Sequence, residues 1–141
     1  MNKVLMSRGV ILLACMLVAI CSCKDGRTYQ GRSIDSWVKQ AHDKDYGTRA
    51  VALREMAAGY VSIPEFRSEC ERVAKTGPDS DRLAVAVYMT TSGNEAEVEK
   101  LINRIIDSGA GPAYKQELVD AIRLLPMAKR KALVDRVNVF Y

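Results

Sequence analysis

The stretch Gly31–Met56, GRSIDSWVKQAHDKDYGTRAVALREM, reads as two short amphipathic helices joined by a polar turn. Ile34, Trp37, Val38 and Ala41 fall at i, i+3, i+4 and i+7, which is one face of a helix. Ser33 stands just before them, where a hydroxyl can accept from an orphan amide of the first turn. His42-Asp43-Lys44-Asp45 forms the turn, with Asp45 positioned to cap the second helix. Ala52, Leu53, Met56 and Tyr60 give that helix its apolar face, and Gly59 marks its end.

The rest of the chain repeats this plan with other residues. Ser62-Ile63-Pro64-Glu65 carries a serine, an early proline and a glutamate in the order of a capping box, so Ser62 is expected to cap a third helix. Phe66, Cys70, Val73 and Ala74 supply its stripe, and Gly77-Pro78 stops it. Asp79 or Ser80 opens a fourth helix with Leu83, Val85, Ala86, Val87 and Met89, apolar on more than one side and so expected to be the most buried. Asn94 with Glu97 reads as a second capping box, ahead of Val98, Leu101, Ile102, Ile105 and Ile106. Gly109-Ala110-Gly111-Pro112 separates this helix from a sixth, lined by Tyr114, Leu118, Ala121, Ile122 and Leu125. Pro126 breaks that one, and Met127, Leu133, Val134 and Val137 mark the last. No segment alternates as a strand would, so the expected class is all-α.

The first residues do not follow this plan. Lys3 and Arg8 give a short basic start, and Gly9 to Ile20 is an uncharged apolar core. It suits a secretory signal and is short for a membrane span, which needs roughly 20 apolar residues. Ile20-Cys21-Ser22-Cys23 follows, and it resembles the lipobox of bacterial lipoproteins, with an aliphatic residue at −3 and a small one at −1 before a cysteine. The resemblance implies cleavage after Ser22 and a thioether-linked diacylglycerol on Cys23. Leu12-Leu13-Ala14-Cys15 also fits the pattern, but a cut there would leave too short an apolar core behind Arg8. The expected organisation is a signal peptide over residues 1–22, a tether over 23–30 and a helical-repeat domain over 31–141. Lys24 and Asp25 do not match the aspartate-at-+2 signal for inner-membrane retention, and the expected location is the cell envelope.

Cleavage would leave Cys70 as the one cysteine of the folded part besides the lipidated Cys23, so no intramolecular disulfide is expected. It would also remove Lys3 and Arg8 and lower the net charge from +4 to +2, too near balance to argue for nucleic acid.

The even-numbered helices share a motif. Arg49-x-x-Ala52-Leu53-x-x-Met56 recurs 33 residues on as Arg82-x-x-Val85-Ala86-x-x-Met89. A looser third copy, Glu117-x-x-Asp120-Ala121-x-x-Leu124, lies 35 residues further. Periods in this range belong to helical solenoids, in which each hairpin buries its face against its neighbours. With Asp45 ahead of Arg49, the pattern resembles the HEAT-like repeats of the type also found in chromophore-attaching lyases; Asp79, Asp81 and Arg82 match in the second copy. The opening Tyr29-x-Gly31-Arg32-Ser33-Ile34-x-x-Trp37-Val38 resembles the segment that caps such stacks in small bacterial lipoproteins. The resemblance implies a short α-solenoid of about three antiparallel hairpins and a structural role for Asp45, Arg49, Ala52, Leu53, Met56, Arg82 and Met89. It implies that each arginine pairs with the preceding aspartate or a neighbouring repeat. A plain helical bundle would satisfy the same apolar stripes.

Residues that could carry chemistry have simpler readings. His42, the only histidine, lies in a solvated turn beside Asp43 and Asp45, and no metal site is expected. Cys70 sits on an apolar stripe that disfavours its thiolate. Glu95, Glu97 and Glu99 suit a helix start, with Lys100 and Arg104 nearby. Trp37 shares a face with aliphatic residues, and the glycines at 109 and 111 lack the Lys-Ser/Thr of a phosphate loop. Lys129-Arg130-Lys131 with Arg136 would suit either a solvated helix face or anionic headgroups, the former being preferred. No cofactor and no catalytic residue are expected. The expected function is a lipid-anchored, non-catalytic scaffold or accessory subunit that binds an envelope protein. The alternatives are a small-ligand-binding or lyase-like protein of the HEAT-repeat class, and a passive envelope protein.

Overall fold

The structure is a computed structural model that describes residues 26–139. The signal peptide, the proposed cleavage site and Cys23 lie outside the described residues, as do Phe140 and Tyr141. Among the described residues the chain is all-α apart from one small ladder, with eight helices and a 3-10 turn. None of these helices is long and apolar enough to cross a membrane.

The ladder belongs to the first of two compact units, which ends at Ile34. Strand β1 (Thr28–Tyr29) pairs antiparallel with β2 (Arg32–Ser33). The two residues between them both take positive φ, 49° at Gln30 and 76° at Gly31, the pattern of a type I′ turn. The last residues of the expected tether are therefore held in a hairpin, which two residues per strand could not announce by alternation.

The second unit begins at Asp35 and holds the helices. Helix α1 spans Ile34–Gln40 and buries Trp37. Helix α2 (Tyr46–Gly59) starts as its sequence requires, with the Asp45 carboxylate accepting from the Thr48 amide at 2.8 Å. Helix α3 (Pro64–Thr76) buries Phe66, Cys70 and Val73 of its predicted stripe, while Ala74 is only half-buried. Its cap differs from expectation. The residue before a proline is driven into extended backbone, so Ile63 at φ −124°, ψ 104° becomes the boundary and leaves Ser62 one residue too far away to cap.

The fourth expected helix is split in two. α4 (Asp79–Ala84) and α5 (Ala86–Thr91) meet at Val85, whose φ of −98° and ψ of 18° interrupt the helix. Within α5, Thr90 and Thr91 return their hydroxyls to the Ala86 and Val87 carbonyls, a contact that bends helices. Its end is a Schellman closure, with Gly93 at φ 82°, the Asn94 amide on the Met89 carbonyl at 2.9 Å and the Gly93 amide on that of Thr90.

That closure explains why the second capping box does not form. Asn94 is held at φ −100°, ψ 35°, away from the extended backbone a capping side chain needs. Glu97 turns instead to Lys100 at 2.9 Å. Helix α6 (Glu95–Asp107) buries Val98, Leu101, Ile102, Ile105 and Ile106, the full predicted stripe. A 3-10 turn at Gly111–Tyr114 leads into α7 (Lys115–Arg123), and α8 runs from Met127 to Asn138. In α8 only Leu133 and Val137 are buried; Met127 is 79% exposed and Val134 lies at the surface.

Helices pack mainly on elements close in sequence. α2 lies against α3, α4 and α5; α4 lies against α3, α6 and α7; α6 lies against α5, α7 and α8. The motif-bearing helices thus follow one another in space as α2, then α4–α5, then α7.

Candidate functional site

The motif residues mostly build the core. Ala52, Leu53 and Met56 of the first copy and Val85, Ala86 and Met89 of the second are all buried. Asp45 is taken up as the cap of α2, and that amide bond holds its carboxyl below the usual aspartate range. Arg49 therefore looks elsewhere. Its Nε donates to Asp81 Oδ2 at 2.8 Å and its Nη1 to the Asp43 carbonyl at 2.8 Å. Asp81, the one buried polar residue among the described residues, lies in the neighbouring copy, the second of the two partners that the resemblance implied for Arg49, although the sequence did not single it out. Arg82 meets the preceding Asp79 at 3.8 Å and Glu97 at 4.0 Å, both looser than the Arg49–Asp81 pair. The Arg82 Nε closes on the Ala74 carbonyl at 3.0 Å, tying α4 to the end of α3.

Other ion pairs link helices in the same way. Arg104 of α6 grips both oxygens of Asp79 at 2.7 and 2.9 Å, which holds the Asp79 carboxyl below its ordinary range. Lys129 of α8 meets Glu99, and Arg136 meets Asp107 and Asn103 of α6. Arg130 donates to the Leu125 carbonyl. Only Lys131 of the basic run meets no acceptor among the described residues, which leaves little of that run for anionic headgroups.

The remaining candidates find local partners. His42 Nε2 lies 3.1 Å from Glu69, which also receives Arg72. Burial pushes the Glu69 carboxyl up, but Arg72 and His42 outweigh it and the net direction is down. Asp43 accepts the Asp45 amide at 2.8 Å. The Cys70 thiol is fully buried and pushed up to about 12 by that burial, an environment that suits a core hydrophobe and disfavours the thiolate. Trp37 is 4% exposed and Tyr29 is half-buried. Among the described residues no three His, Cys, Asp or Glu side chains converge as metal ligands would.

One surface is shared by all three motif-bearing helices. Between α2, α4–α5 and α7 runs an apolar groove of about 160 Å³. Ala84, Ala86, Val87, Ala121 and Leu124 line it, with Arg54, Glu117 and Asp120 as its charged residues. Val87, 39% exposed where the sequence predicts burial, is open because it faces this groove. Arg54 lies 3.6 Å from Glu117, and Asp120 receives Gln116 at 3.1 Å and Arg123 at 3.4 Å. Tyr46, near the same rim, has its hydroxyl buried and pushed up to about 12, first by burial and then by the Glu117 charge.

The groove coincides with the copy of the motif that departs most from the pattern. Glu117, Asp120, Ala121 and Leu124 occupy the positions of Arg49, Ala52, Leu53 and Met56, and all four line it. The third copy, with Glu117 where the other two carry the motif arginine, was the trace of this surface in the sequence. Set against protein-family models, curated proteins and solved structures, the chain matches none.

Proposed function

We propose that this chain is a lipid-anchored bacterial envelope protein whose helices form a short stack of HEAT-like hairpins, and that it binds protein instead of catalysing a reaction. The observation that carries the binding half is the groove across α2, α4–α5 and α7. Its floor is aliphatic; of its charged groups Arg54 and Glu117 hold one another at 3.6 Å, while Asp120 is met from outside the lining by Arg123 at 3.4 Å and stays half exposed. Such a surface offers shape and apolar area with a polar rim, the anatomy of a protein interface.

The stack is supported by packing between near neighbours in sequence, as expected when each hairpin buries its face on the next. It is supported too by the Arg49–Asp81 pair, which joins one copy of the motif to the following one. The anchor rests on the basic start, the apolar core and the Ile20-Cys21-Ser22-Cys23 run.

The test is an in-cell crosslinking pull-down from the membrane fraction, comparing the native chain with Cys23→Ser. The native chain is expected in membranes with a discrete crosslinked protein, and the variant is expected to leave them. Identical fractionation of both would remove the anchor. Membrane attachment without any discrete crosslinked protein would remove the binding function.

A further inference from the structure

The groove has a complement on the same chain. Along α8, Met127, Lys131 and Val134 fall at i, i+4 and i+7 and so share one stripe. Met127 is 79% exposed and Val134 36% exposed, and Lys131 between them meets no carboxylate among the described residues. The other cations of this helix are turned to α6 and to the Leu125 carbonyl. The groove offers an aliphatic floor and, on one face of α7 at i and i+3, two carboxylates: Glu117, which Arg54 holds at 3.6 Å, and Asp120, which Arg123 meets only at 3.4 Å. Its volume of about 160 Å³ suits one side chain, since an apolar cavity of about 150 Å³ holds a benzene.

We propose that the occupant of the groove is a second copy of this chain, which lays the Met127–Lys131–Val134 stripe of α8 across it. Met127 enters the aliphatic floor between Ala86 and Ala121, and the Lys131 ammonium reaches Asp120, whose side chain is 52% exposed and open to a further donor. This is helix-in-groove recognition, with anchors spaced by turns of one helix. The two surfaces differ, so the contact either closes reciprocally into a pair or extends from copy to copy. The proposal rests on the reading of the groove as a docking surface and adds the identity of what docks.

The experiment is sedimentation equilibrium of the full chain in mild detergent over a range of concentrations. The native chain is expected to associate reversibly with concentration. Lys131→Glu and Asp120→Lys are each expected to weaken association by about tenfold or more, and the double exchange to restore much of it. Lys131 and Asp120 are exposed, and circular dichroism of each variant reports whether its helices are intact. A monomer at all concentrations overturns the proposal, as does association that neither charge reversal changes. A monomeric chain that still crosslinks to a different protein through the groove overturns the second copy alone and leaves the docking surface standing.

Discussion

Arg49 Nε donates to Asp81 Oδ2 at 2.8 Å, so the first copy of the arginine motif is tied to the second through a carboxylate only 6% exposed. Removing one partner of a buried pair leaves the other charge without compensation, at a cost of about 3–5 kcal/mol. Arg49→Met is expected at the low end, about 3 kcal/mol, because Arg49 is itself partly exposed. Arg49→Met with Asp81→Leu should recover much of the loss, since replacing both charges removes the orphaned carboxylate. Urea unfolding followed by circular dichroism checks both; a double variant no better than the single would contradict the account.

The core of the first copy supplies a contrast between two positions of one helix, two residues apart. Leu53 is fully buried, and Leu53→Ala is expected to cost about 2–5 kcal/mol through lost transfer energy and a cavity. Val51, 44% exposed on the same helix, should tolerate alanine within about 0.5 kcal/mol. The midpoints of urea unfolding separate these outcomes directly.

Gly77 is a sharper case, for a reason unrelated to φ. A Cβ built there would lie 2.7 Å from the Val73 carbonyl oxygen, which is backbone and cannot turn aside. Gly77→Ala is therefore expected to destabilise by about 1–3 kcal/mol, although alanine usually favours stability in glycine positions that it fits. An unchanged unfolding midpoint would mean that the end of α3 yields more than its contacts imply.

Asp79 sets an acid-side prediction. Its grip by Arg104 lowers its folded pKa, so the pair stabilises the fold above the unfolded value of about 3.9 and stops doing so as pH falls through the folded value. Arg104→Gln returns the Asp79 carboxyl toward its ordinary range. The thermal midpoint of the native chain should then exceed that of the variant at pH 6, with the gap closing below about pH 4. A gap independent of pH would assign the effect to packing of the Arg104 stem.

The helix pattern was legible because the stripes are regular: the buried sets of α3 and α6 follow directly from apolar spacing. The caps were less so. Ser62 and Asn94 carry the right side chains, but Pro64 moves one helix start and the Schellman closure of α5 fixes the backbone of the other. Both constraints come from neighbouring residues, but they act on the backbone conformation and not through the capping side chain that the motif names. The partner of Arg49 was legible only as a choice between a local aspartate and a neighbouring repeat, and the use of Asp45 as a cap decided it. Spacing within one helix could not outline the groove, because α2, α4–α5 and α7 line it together.

The central claim is that this chain works by binding protein along the groove between α2, α4–α5 and α7. A photo-crosslinking side chain at Val87, inside the groove, tests it most directly when compared in cells with one at Lys100, an exposed position of α6 outside it. The account predicts a discrete protein adduct from position 87 and none of that mass from position 100. No adduct from position 87, or the same adducts from both, would contradict it.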